Sequence, residues 1–131
     1  MPGGVYKDNV IYPELSYIII GILFDVYKEL GPGYKEVYYE RAVAKGFDRV
    51  HLRYKRQLPY KVTYRGQFIG RCYFDFLVEE KIILELKKGD YFSRRNIHQT
   101  NEYLKISKLK LAILANFTTK GVEYKRIVNI N

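Results

Sequence analysis

Asp75, Glu85 and Lys87 carry the strongest chemical signal in this sequence. From residue 73 to residue 87 the side chains alternate with a period of two, which is the pattern of strands. On the first run Phe74, Phe76 and Val78 point one way, while Tyr73, Asp75 and Leu77 point the other. On the return run Ile82, Leu84 and Leu86 oppose Ile83, Glu85 and Lys87. If the two apolar rows share a core, both acids and the lysine share the opposite face. A three-residue loop at Glu79-Glu80-Lys81 that pairs Val78 with Ile82 sets Asp75 directly across from Glu85. A slip of one residue would divide them between the two faces.

Two opposed carboxylates repel each other unless a cation lies between them. Mg²⁺ is the natural occupant, with Mn²⁺ as its substitute, because such ions take oxygen ligands from one or two carboxylates plus water. Lys87 reaches the same pocket, where an ammonium can stabilise charge developing on a phosphoryl group or assist an attacking water. A Glu-x-Lys pair is commonplace on solvated strands, but Leu77 and Ile83 share this face, so it is not simply solvated. Upstream, Glu36, Tyr39, Glu40, Val43 and Phe47 form one helical stripe, which brings the Glu36 carboxylate close to apolar surroundings. Such a carboxylate fits a metal or water site. It equally fits the first turn of a helix, where the macrodipole favours it. Glu40 reads as the partner of a basic side chain. Downstream, Arg95, Gln99 and Tyr103 are spaced by four and line one helix face. An amide and a phenol there can orient substrate or water, and Arg95 can grip a phosphate. His51 and His98 have no metal-ligating residues at suitable spacing.

The elements that must position these groups follow from the periodicity. Residues 1–13 read as an arm and residues 14–131 as one domain. A helix over residues 14–30 is apolar almost all round and is stopped by Gly31-Pro32-Gly33. A second helix is expected over residues 34–45, ending near Gly46. Strands fill residues 50–88, with breaks at Pro59, at Arg65-Gly66 and at the Glu79 loop. Ser93 caps a helix over residues 94–106. Residues 109–117 read as an apolar run, as in a strand buried on both faces. A turn over residues 118–121 leads to a last strand, Val122 to Val128. The order α-α-β-β-β-α-β-β describes a single mixed α/β or α+β sandwich.

The 131 residues include 23 Lys+Arg against 14 Asp+Glu, a net charge of +9, which favours polyanionic partners and nucleic acid above all. Arg53, Lys55, Arg56, Arg94 and Arg95 are the candidates for phosphate contact. One cysteine, Cys72, excludes an intrachain disulfide and any cysteine-only metal cluster. No signal peptide is visible, and the apolar stretch over residues 15–24 is too short to span a membrane. The expectation is a cytoplasmic protein without membrane contact. The 14 Tyr mostly suit half-buried sheet surfaces.

The ordered set of motifs resembles the GxxExxY family: LGPG at residues 30–33, Gly33-x-x-Glu36-x-x-Tyr39, YRG at 64–66, DFLVEEKIILELK at 75–87, QTNEYLK at 99–105 and LANF at 114–117. That family is similar to the PD-(D/E)XK nuclease superfamily, in particular its RecB-like branch with a Gln-x-x-x-Tyr motif. The resemblance implies a restriction-endonuclease-like α/β fold, a central mixed sheet flanked by helices. It further implies that Asp75, Glu85 and Glu36 ligate metal, that Lys87 assists the attacking water, and that Gln99 and Tyr103 shape the far wall. The chain departs from the pattern where Phe74 replaces the proline before the first acid. With Cys72 alone, it cannot hold the iron–sulfur cluster of some RecB-like nucleases. The function implied is metal-dependent hydrolysis of phosphodiester bonds, with DNA favoured over RNA. Two rivals remain: a nucleic-acid-binding module without turnover, and an interaction or assembly protein, such as a homodimer joined through tyrosine-rich strands.

Overall fold

The computed structural model describes residues 11–130, so most of the expected arm lies outside the described residues. Within them the order is α1 (Pro13–Leu30), α2 (Glu36–Arg49), β1 (Tyr54–Tyr64), β2 (Gln67–Val78), β3 (Ile82–Lys88), α3 (Arg94–Ser107), β4 (Leu111–Phe117) and β5 (Val122–Val128). The five strands form one sheet in sequence order, antiparallel throughout except for the parallel β3–β4 pair. Parallel neighbours need a crossover, and α3 supplies it.

Helices α1 and α2 cover one face of the sheet. Ile19, Ile22, Leu23 and Val26 of α1 follow the i, i+3, i+4, i+7 rule and meet Tyr39, Val43 and Phe47 of α2 over Phe76, Val78, Leu84, Leu86 and Ile113. On the other face Tyr103 and Leu104 of α3 close a smaller core with Phe74, Leu77, Ile83 and Ala112. Strand β4 is buried along its whole length and is apolar except for Asn116, whose Nδ2 donates to the Gly89 carbonyl at 2.6 Å. Burying each large side chain in these cores contributes roughly 1.5–3 kcal/mol before chain entropy is set against it. Among the described residues no helix is long and apolar enough to cross a membrane.

Three expectations need correction. The second helix does not end near Gly46 but runs on to Arg49. Gly46 marks the crossing with α1 instead: a Cβ there would lie 2.6 Å from Ile22 Cγ2, so only glycine lets the helices approach this closely. Pro59 does not break a strand, because β1 runs straight through it, paired at Tyr73. β1 is an edge strand, where proline's missing N–H costs no ladder bond. The buried strand begins at Leu111 rather than at residue 109, because α3 ends in a left-handed Lys108 and the chain needs two more residues to re-enter the sheet. Ser93 caps α3 as expected, its hydroxyl accepting from the Asn96 N–H at 3.0 Å.

Candidate active site

β2 and β3 pair over three rungs only: Val78–Ile82, Leu77–Ile83 and Phe76–Leu84. This is the register that sets Asp75 across from Glu85. At that next rung side chains replace the backbone ladder. The Asp75 N–H donates to Glu85 Oε2 at 2.7 Å, and the Leu86 N–H donates to Asp75 Oδ2 at 2.9 Å. The two strands therefore part around a pair of carboxylates, each bonded to the opposite backbone.

The parting also breaks the alternation of β2. Phe76 and Val78 lie in the core under α1 and α2, but Phe74 lies in the core under α3. The expectation that all three point one way fails for Phe74. Asp75 is where the strand changes face, and its carboxylate sits in the seam between strands. Opposite it on β1, Gln57 has a left-handed backbone, φ 47°, which is costly for a residue with a Cβ and tends to occur where the surroundings enforce it. Its carboxamide Nε2 donates to Glu40 Oε1 at 3.2 Å and to Asp75 Oδ1 at 3.3 Å. Gln57 was not among the residues singled out from the sequence. Nothing in its local sequence marks it, because its role comes from a distortion of the edge strand.

Helix α2 delivers two acids. Glu40 is buried and ion-paired with Arg56 at 3.2 Å, as its position in the stripe suggests. Glu36, at the first turn, is more exposed, and Lys87, Asp75 and Glu40 all act on it electrostatically. From the other face α3 brings Gln99, whose Oε1 accepts from Lys87 Nζ at 3.4 Å, and Tyr103, whose ring packs 4.9 Å from Phe74. Helices on opposite faces of the sheet thus reach one seam because the strands open there.

Glu85 is only 2% exposed. Burial first, and then the Asp75 carboxylate beside it, pushes its carboxyl up to about 8, against the opposing pull of the Asp75 N–H and Lys87. Burial also raises Asp75, opposed chiefly by the Leu86 N–H, and raises Glu36, opposed by Lys87. Tyr103 is raised by burial and then by Glu85. The seam is therefore an acidic cluster in which several carboxylates ionise only at a cost. His51 and His98 are exposed, and Cys72 is half-buried with Sγ 3.8 Å from the Tyr60 carbonyl.

Of the expected phosphate contacts, three are already matched by acids. Arg53 pairs with Glu79 at 3.1 Å, Lys55 with Glu80 at 3.0 Å, and Arg56 with Glu40. Arg94 and Arg95 are exposed at the start of α3.

The sequence matches the profile of the PD-(D/E)XK nuclease superfamily over residues 13–127. The chain belongs to that superfamily, and its five-stranded mixed sheet flanked by helices is the restriction-endonuclease-like fold. Nucleases of this superfamily generally use divalent metal ions. Among solved structures the chain is similar to one described as "Crystal structure of SSO0001", with a TM-score of 0.47 and 14% identity over 88% of this chain and 77% of that one. No curated protein matches the sequence significantly.

The residues in the seam suit such an ion in kind. Asp75 and Glu85 are hard oxygen donors that repel each other, and Glu85 Oε1 makes no hydrogen bond among the described residues. No group of three or more His, Cys, Asp or Glu side chains among the described residues is close enough to cage an ion. The fit is therefore to two carboxylates with water and substrate completing the shell, the mode usual for Mg²⁺.

Proposed function

We propose that this protein is a metal-dependent nuclease that hydrolyses phosphodiester bonds, acting on DNA in preference to RNA. The observation that carries the reading is the seam itself, where Asp75, Glu85 and Lys87 meet Glu36 from one helix layer and Gln99 and Tyr103 from the other. Asp75 and Glu85 would hold Mg²⁺ or Mn²⁺, with Glu36 contributing through water. When bound, the ion supplies Lewis acidity toward a phosphoryl oxygen and toward water. Lys87, already steered by Gln99, offers its ammonium to a non-bridging phosphate oxygen and balances the charge that grows there. Tyr103 stays protonated across the working pH range, so its hydroxyl serves as a hydrogen-bond donor. The motif set quoted above supports the finer assignment to a GxxExxY-type, RecB-like member; the reading further takes residues 14–131 as one domain and the cytoplasm as its place of work.

The test is hydrolysis by purified protein with Mg²⁺ or Mn²⁺ on single-stranded, duplex and branched DNA and on RNA. Cutting that vanishes in Asp75→Ala is expected. No cutting of any of them, with wild type and Asp75→Ala indistinguishable, would refute the reading. One observation favours a second reading, a nucleic-acid-binding module without turnover: an oxygen of each of Asp75 and Glu85 is already engaged by a backbone N–H. That module would bind nucleic acid equally well with and without the ion.

A further inference from the structure

Beyond the seam, β1 and β2 continue as a two-stranded ribbon, because residues 67–74 of β2 pair with β1 alone. One face of this ribbon is packed: Tyr60 stacks on Phe74 at 4.7 Å and, with Cys72, lies against the smaller core. The other face carries the pairs Pro59–Tyr73 and Lys61–Arg71 in register. It is continuous with Gln57 and Asp75, which are joined by a hydrogen bond one alternation closer to the sheet. Successive same-face positions lie about 7 Å apart along a strand. A track therefore leads out of the seam, first to Tyr73, which is 50% exposed, and then to two cations.

The charges on this track differ in kind from those nearer the sheet. Arg53, Lys55 and Arg56 each have a carboxylate partner, whereas Lys61 and Arg71 have none among the described residues. Residues 59–73 contain Lys61, Arg65 and Arg71 and no acid at all. Arg71 lies over the ring of the exposed Phe68 at 5.3 Å, and Arg65 over that of the exposed Tyr64 at 5.4 Å. Exposed aromatics interleaved with unpaired cations form the surface that binds the bases and backbone of an unpaired strand.

We propose that the outer face of the β1–β2 ribbon is the binding track for single-stranded nucleic acid leaving the seam, with a base stacked on Tyr73 and phosphates held by Lys61 and Arg71. The proposal rests on the nuclease reading for its substrate class and adds which form of nucleic acid is held and where. The side chains involved are exposed, so their replacement leaves both cores untouched.

The experiment measures anisotropy of a labelled mixed-sequence 30-mer, single-stranded or annealed, in chelator to prevent cutting, over a salt series. Tyr73→Ala is expected to weaken single-strand binding by about 5- to 150-fold, the range of one lost stacking contact, and Tyr73→Phe to restore it. Lys61→Ala with Arg71→Ala should lower the salt slope by about 1.4, since each phosphate contact to a single strand contributes about 0.7. Unchanged single-strand binding in these variants overturns the track, as does a wild-type preference for the duplex. Sedimentation showing a wild-type dimer that Tyr73→Ala splits, with nucleic-acid binding intact, also overturns it and assigns the face to a second copy. The two readings fail separately. Hydrolysis with variant-insensitive binding removes the track alone, and variant-sensitive binding without hydrolysis removes the nuclease alone.

Discussion

Replacing Glu85 by glutamine should make the metal-free protein more stable at alkaline pH and remove much of its pH sensitivity. In the folded state burial and Asp75 hold the Glu85 carboxyl near 8, while its ordinary value is 4.5. Between those values the folded protein keeps a proton that the unfolded chain has lost, so stability falls as pH rises through this window. At about 1.4 kcal/mol per pH unit, the gap amounts to on the order of 5 kcal/mol, a large share of the stability of a domain this size. The carboxamide of Glu85→Gln would retain an oxygen to accept the Asp75 N–H and carry no charge. Urea unfolding in chelator at pH 5, 6, 7 and 8.5 measures the effect, and the difference between the two proteins isolates Glu85. Glu79 and Asp90, held below the ordinary range by bonds from Arg53 and Thr119, contribute equally to both. Asp75 and Glu36, which are raised, give both proteins a residual slope of the same sign. The variant should gain on wild type as pH rises, by several kcal/mol across the series. A constant difference from pH 5 to 8.5 would refute the claim that a buried, proton-holding Glu85 faces Asp75.

Other substitutions probe the remaining parts. Gly46→Ala drives a Cβ into Ile22 Cγ2, and the overpacking should outweigh the helix propensity gained, lowering stability by about 1–2 kcal/mol; a thermal melt checks this, and adding Ile22→Val should recover part of the loss. Asp75→Ala should cut metal-dependent turnover at least about 100-fold in a nuclease assay while leaving the far-ultraviolet circular dichroism unchanged. Lys87→Ala removes the one lysine that lowers both Glu85 and Glu36, so in chelator the variant should lose more stability than wild type between pH 5 and 8.5 in the same urea series. Gln57→Glu puts a third carboxylate between Glu40 and Asp75; its melting temperature at pH 8 should drop without metal and recover with millimolar Mg²⁺, in a thermal-shift titration.

The parts of this structure governed by local pattern were legible in the sequence. The Val78–Ile82 pairing followed from matching two apolar rows across a short loop, and Ser93 and the run ending at Phe117 were marked by residue type alone. Where tertiary contact overrides the local rule, the reading failed. Gly46 looks like a helix stop, but its lack of a side chain serves the crossing with Ile22. Pro59 looks like a break, yet an edge position excuses it. The change of face at Asp75 and the left-handed Gln57 are partners in one distortion of two paired strands. Neither shows in a single run of side chains, since alternation assumes a regular strand. The pairing of Arg53 and Lys55 with acids was equally hidden, because Glu79 and Glu80 lie on a hairpin loop, whereas a basic partner for Glu40 was expected and only its identity, Arg56, was not.

The edge position of β1 also bears on how molecules of this protein meet one another. An open sheet margin invites a second chain to add on, and aggregation by that route needs a clean row of free N–H donors. Here Pro59 interrupts the row, and Lys61, which has no carboxylate partner among the described residues, adds positive charge that an identical neighbour would also carry. Self-assembly by strand addition along this margin is therefore penalised twice, once by a missing donor and once by like charge. Strand addition between copies is thereby disfavoured along this border.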